Sequence, residues 1–85
     1  MPDLRVEISD PPTLDTIHRF RNFGEDVYRA FRDRHSVDIG EIDASTKSFH
    51  VRHVHRRELR SVSKEIMRIA TKHFFAPTAS VVVVE

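Results

Sequence analysis

Twice along its length the chain switches from an apolar period of two to a period of three to four, and back again. Leu4-Arg5-Val6-Glu7-Ile8 alternates apolar and polar residues, as a half-buried strand does because successive side chains leave opposite faces, and Asp10-Pro11-Pro12 stops it. From Leu14 to Arg34 the apolar residues Leu14, Ile17, Phe20, Val27 and Phe31 recur at helical steps once Gly24 is counted on the same stripe, with Thr13 placed to cap the first turn. A mid-helix glycine costs about 1 kcal/mol relative to alanine, so Gly24 predicts close approach of this helix to a sheet. Ser36 to Asp43 and Lys47 to His55 read as two further strands. Ala44-Ser45-Thr46 between them is short enough for a hairpin, and Gly40 is a candidate bulge. Alternation in Lys47 to His55 puts Phe49, Val51, His53 and His55 on one face and His50, Arg52 and Val54 on the other.

Arg57 to Phe74 is a second amphipathic helix, with Leu59, Val62, Ile66, Ile69, Ala70 and His73 on one stripe, Arg60, Lys64, Arg68 and Lys72 opposite or flanking it, and Pro77 beyond its end. Ala79 to Val84 is a β-branched run with no helical signal, hence a fourth strand. The order strand, helix, strand, strand, helix, strand predicts an α+β fold. It resembles the ferredoxin-like βαββαβ sandwich, a four-stranded antiparallel sheet with two helices on one face, formed by residues 1 to 85 as a single domain. That arrangement hosts many unrelated activities, so it assigns none. It implies that the first and third strands lie side by side at the centre, that Arg5, Glu7, His50, Arg52 and Val54 face away from the helices, and that Glu7 pairs with Arg52 or His50.

Composition removes whole classes. A chain of 85 residues buries about 60 to 70% of the surface its unfolded form exposes, enough for one small core but not for a core plus a deep substrate cleft. With no cysteine, disulfides, thiolate zinc sites and iron–sulfur clusters on thiolates are excluded. The longest apolar runs, Val81 to Val84 and Phe74 to Ala76, are far short of a membrane span, and Met1-Pro2-Asp3-Leu4 lacks the layout of a signal peptide. The expectation is a soluble, cytoplasmic domain. Enzymatic motifs are missing: Gly24 and Gly40 cannot form a glycine-rich phosphate loop, and Glu25 and Asp26, adjacent on a helix, point about 100° apart and read as surface charges. No cofactor and no catalysis are expected.

Three surfaces remain. A net charge of +1 hides a division, about −4 over residues 1 to 46 and +6 over residues 47 to 84. Arg52, Arg56, Arg57, Arg60, Lys64 and Arg68 therefore form a candidate phosphate-binding stripe for nucleic acid, sequence-independent and salt-sensitive. Lys47 to Val54 bears a faint likeness to the third-strand motif of RNA-recognition domains, but Ser48 and His50 replace its small residues and Val51 its second aromatic, so base stacking on the sheet is not expected. His53 and His55, two apart on one strand face, are a candidate metal pair that lacks a fixed third ligand, Glu41 or Asp43 being nearest in sequence. Finally, Val81 to Val84 is apolar on both faces although it belongs to a strand at the sheet edge, where charge, proline or a bulge normally prevents pairing with other chains. Val82 and Val84 are the candidate interface, and the reading that follows is a non-catalytic interaction module that forms a homodimer or binds a protein partner.

Overall fold

The computed structural model describes residues 2–33 and 37–84. β1 (Asp3–Ile8) leads into α1 (Leu14–Phe31), β2 (Asp38–Ile39), β3 (Ser48–Arg52), α2 (Leu59–Lys72) and β4 (Ala79–Val84), with a short 3₁₀ turn at Arg56–Glu58 before α2. The strands pair antiparallel in the order β2-β3-β1-β4. This is the ferredoxin-like arrangement, an α+β sandwich with β1 and β3 at its centre.

The alternation along β1 and β3 creates the two layers. Leu4, Val6, Ile8, Phe49 and Val51 are buried in one cluster with Phe20, Phe23 and Val27 of α1 and Val62, Ile66 and Ile69 of α2, while Arg5 and Arg52 point to solvent on the other side. Phe23 is the hub of the core, with ring centroids 6.1 Å from Phe20, 5.7 Å from Phe49 and 5.8 Å from Phe75. Phe49 is only 2% exposed, which agrees with the absence of a stacking aromatic on the open sheet face.

Local chemistry sets the element ends. The Thr13 hydroxyl accepts the Thr16 backbone N–H at 3.1 Å, capping α1 as its position in the sequence implies. Leu14, expected on the apolar stripe, is instead 76% exposed, because it sits in the first turn before the helix reaches the sheet, and Thr16 is buried there instead. Gly24 is a point of close approach, but its neighbour is a side chain of the β2–β3 connection rather than the sheet: a Cβ there would lie 2.7 Å from Ile42 Cδ1. α1 ends at Phe31, three residues short of the sequence reading, whose last residue Arg34 lies outside the described residues.

The second strand is far shorter than the predicted Ser36 to Asp43. Asp38 and Ile39 pair with Arg52 and Val51, Gly40 N–H still donates to the His50 carbonyl, and contact resumes only at the Asp43–Ser48 bridge; Ser36 lies outside the described residues. Between those points the register slips by one residue, the extra residue expected near Gly40. Asp43 then closes the turn by accepting the Ser45 N–H at 2.9 Å and the Ser45 hydroxyl at 2.6 Å, bonds that hold its carboxyl below the usual carboxylate range.

β3 also ends early. His53 adopts a left-handed backbone, φ 60°, which breaks the alternation so that Val54 turns into the core instead of onto the open face where it was expected. The Val54 N–H donates to the Pro2 carbonyl at 3.1 Å and pins that reversal. Glu7 does not meet Arg52 or His50: the register sets it opposite Ser48, and its carboxylate pairs with Arg5 of its own strand at 2.5 Å.

Candidate functional site

The six basic residues of the proposed stripe fall on different layers. Arg52 is the last residue of β3 and leaves the face opposite Phe49 and Val51, where its guanidinium lies 3.9 Å from the Asp38 carboxylate. Arg56 and Arg57 belong to the exposed turn that carries the chain from the sheet to the helix layer. Arg60, Lys64 and Arg68 recur every four residues along the outer side of α2. Arg68 is held by Glu65 through bonds of 3.1 and 2.5 Å, which raise its pKa further above an already high ordinary value. Arg57, Arg60 and Lys64 are exposed and make no ion pair among the described residues. The stripe therefore wraps one end of the molecule, with charge compensated at Arg52 and Arg68 and, among the described residues, no ion pair at Arg57, Arg60 or Lys64.

The premise of the metal pair does not survive the fold. His53 and His55 share a face only on a continuous strand, and β3 stops at Arg52 with His53 left-handed. Among the described residues no three His, Asp or Glu side chains converge as a metal site would require. Beside β3, Glu41, Asp43, Ser48, His50 and Arg52 border a shallow hollow of mixed charge on the open side of the sheet.

β4 is an edge strand, as expected, and a long one. All six of its residues pair with β1 in unbroken register from Asp3↔Val84 to Ile8↔Ala79, so no bulge protects it. It carries no charged residue and no proline. Val82 and Val84, opposite Arg5 and Asp3 on the open face, are 52% and 42% exposed. Val83 is opposite Leu4 and so points to the helix side; it is 46% exposed although Leu4 is fully buried, which means that α2 does not cover the lower half of β4 on that side.

Two features were not visible as sites in the sequence. Asp26, grouped with Glu25 as a surface charge, reaches from α1 to α2, where its Oδ2 lies 2.6 Å from His73 Nε2 and 3.8 Å from Lys72 Nζ. The bond to His73, aided by the charges of Lys72 and Arg29, holds the Asp26 carboxyl below its ordinary value against the opposing effect of burial. The signal was its place three residues after Phe23 and next to Val27, on the border of the apolar stripe. The second is Phe74. α2 ends in a Schellman motif, with the Phe75 N–H bonded to the Ala70 carbonyl at 2.8 Å and the Phe74 N–H to the Thr71 carbonyl at 3.0 Å. Its left-handed position, commonly a glycine, is filled by Phe74 at φ 66°, a residue that is 78% exposed. Compared with known proteins, the chain matches no family model and no curated sequence.

Proposed function

We propose that the protein is a small non-catalytic interaction module that associates with a second copy of itself through β4. The observation that carries this is the combination of an unbroken six-residue edge strand with three half-exposed valines and no charge, proline or bulge. A second copy is favoured as occupant by the chemistry of the strand: paired antiparallel with itself about Val82, β4 brings no two like charges together and sets Val81, Val82 and Val83 opposite valines, with Ser80 facing Val84. Stacking two open sheet faces would instead desolvate the Arg5–Glu7 and Arg52–Asp38 pairs, whose side chains are 45 to 60% exposed. Sedimentation equilibrium over a wide concentration range tests the reading. A concentration-dependent dimer that Val82→Lys or Val84→Lys converts to monomer is expected; a wild-type chain that stays monomeric at its highest attainable concentration refutes it.

Arg57, Arg60 and Lys64, exposed and without an ion pair among the described residues, favour a second reading, sequence-independent binding of nucleic acid phosphates. Fluorescence anisotropy with labelled single-stranded RNA and duplex DNA across salt concentrations distinguishes it. Binding would weaken log-linearly with salt and fall on replacing Arg57 or Arg60; a flat titration at low salt removes this reading and leaves the first intact.

A further inference from the structure

The helix layer above the free edge of β4 has its own pattern. α2 packs over β4 and α1 over β2. The flank of α2 turned to α1 carries Arg68, Ile69 and Lys72, which border a groove with Asp26, Arg29 and Ala30. Val62 and Ile66 occupy the side facing the sheet. At 100° per residue the remaining flank, turned away from α1 and toward the edge, holds Ser63 and Met67, with Arg60 on its outer border and the fully buried Ala70 on its inner one. That flank is small or apolar, and Ser63 and Met67 are only partly covered by the chain's own fold.

We propose that the second copy seats on β4 and on this flank of α2 together: the two β4 strands pair antiparallel about a two-fold axis through Val82, forming one eight-stranded sheet with all four helices on the same face. The inference rests on the homophilic pairing proposed above and adds its sidedness and its second contact surface. Strands lie about 4.8 Å apart, so two helices over four strands have about 10 Å of width each, and joining the edges brings α2 and its copy to about 10 Å, within the range of packed helices. The small, partly covered side chain of Ser63 suits that approach.

The axis also accounts for residues that a monomer leaves unexplained. With Val82 opposite its own copy, Val83 lies against the copy's Val81 on the helix side, which covers the exposed half of the strand. The Phe75 carbonyl accepts the Ala79 N–H at 2.8 Å, so the end of α2 and the start of β4 are at one level. From there to Val82 the strand descends about 10 Å, the rise of roughly six or seven helical residues, so the axis passes α2 near Ile66 and Met67. An antiparallel copy then places Phe74 over the first turn of the copy's α2, where Leu59 offers an apolar surface and Arg60 a cation for the ring face. An axis lying in the plane of the sheet would put the helices on opposite faces and leave Val83, Met67 and Phe74 exposed.

Sedimentation equilibrium of the full chain, with thermal melts at concentrations where it is monomeric, tests the arrangement. Met67→Lys is expected to weaken the dimer at least about tenfold. Phe74→Gly is expected to raise the monomer's melting temperature, by relieving the left-handed backbone, while weakening the dimer by roughly tenfold. A residue that served only the monomer's fold would not produce that pair of opposite changes. If the wild-type dimer is dissociated by Val82→Lys but untouched by both Met67→Lys and Phe74→Gly, the helix contact is overturned and strand pairing stands. If the wild-type chain does not dimerise, both are overturned.

Discussion

Replacing Gly24 by alanine sets two effects of known size against each other. Alanine is favoured over glycine in a helix interior by about 1 kcal/mol. The added Cβ would lie 2.7 Å from Ile42 Cδ1, 3.0 Å from Cγ2 and 3.2 Å from Cγ1. The terminal Cδ1 could swing aside alone, but Cγ1 and Cγ2 branch from the same carbon, so rotating one out drives the other in, and relief requires the β2–β3 connection itself to move. Overpacking of that kind costs about 1 to 3 kcal/mol, so Gly24→Ala should destabilise by about 1 kcal/mol net. Ile42→Ala removes all three obstructing atoms, and in that background the same change should stabilise by about 1 kcal/mol as its helical preference is expressed. The coupling between the two positions is then about 2 kcal/mol. Urea unfolding followed by far-UV circular dichroism on the four proteins, with Val82→Lys present throughout so that association does not enter the stability, measures it. The reasoning is refuted if Gly24→Ala stabilises the otherwise unchanged chain, or if the two effects add within about 0.5 kcal/mol.

Asp26→Asn should lower stability at neutral pH by about 1 kcal/mol, since it weakens a charge-assisted bond to His73 at a carboxylate that is still a quarter exposed. Because the folded-state pKa of Asp26 is depressed, its contribution is fully present above the unfolded value near 3.8 and is lost as pH falls through the folded one. Urea midpoints of the two proteins should accordingly differ at pH 7 and converge below about pH 4; a difference that persists in acid contradicts the assignment. Thr13→Ala should cost about 1 kcal/mol by removing the cap on the Thr16 N–H, and hydrogen exchange should show faster opening confined to the first turn of α1.

The parts of the fold that were legible in the sequence are those governed by repeating side-chain direction. β1, α1 and the apolar stripe of α2 follow from periodicity, and β4, read from its β-branched run instead, is found at its predicted bounds of Ala79 and Val84. What escaped is governed by single backbone angles or by distant partners. Nothing in the run from Arg52 to Val54 announces that His53 will be left-handed, and that one residue moved Val54 from the open face to the core and dissolved the His53–His55 face. β2 shrank to Asp38–Ile39 because the Asp43 turn and the one-residue slip near Gly40 draw the chain away from β3. Asp26 was misjudged because helical spacing shows where a side chain points but not that a histidine 47 residues later will meet it.

The candidate interface was found in a different way, through a disagreement between two levels of description. Four consecutive valines make a segment suited to a central strand, covered on both faces, and local pattern alone would place it there. Topology assigns it to the edge, because the crossover through α2 returns the chain beside β1 and, among the described residues, no strand lies beyond it. A central-strand composition at an edge position resolves if the edge is not an edge in the assembled protein. The same logic extends to Phe74, whose exposed ring and left-handed backbone are both unfavourable in the isolated chain. In a continuous eight-stranded sheet both features acquire a partner from one symmetry operation, whereas a monomer needs a separate explanation for each. Opposite signs for Phe74→Gly in monomer stability and in dimer affinity would separate the two accounts, because only a residue strained for the sake of an intermolecular contact is improved for folding and impaired for association by the same change.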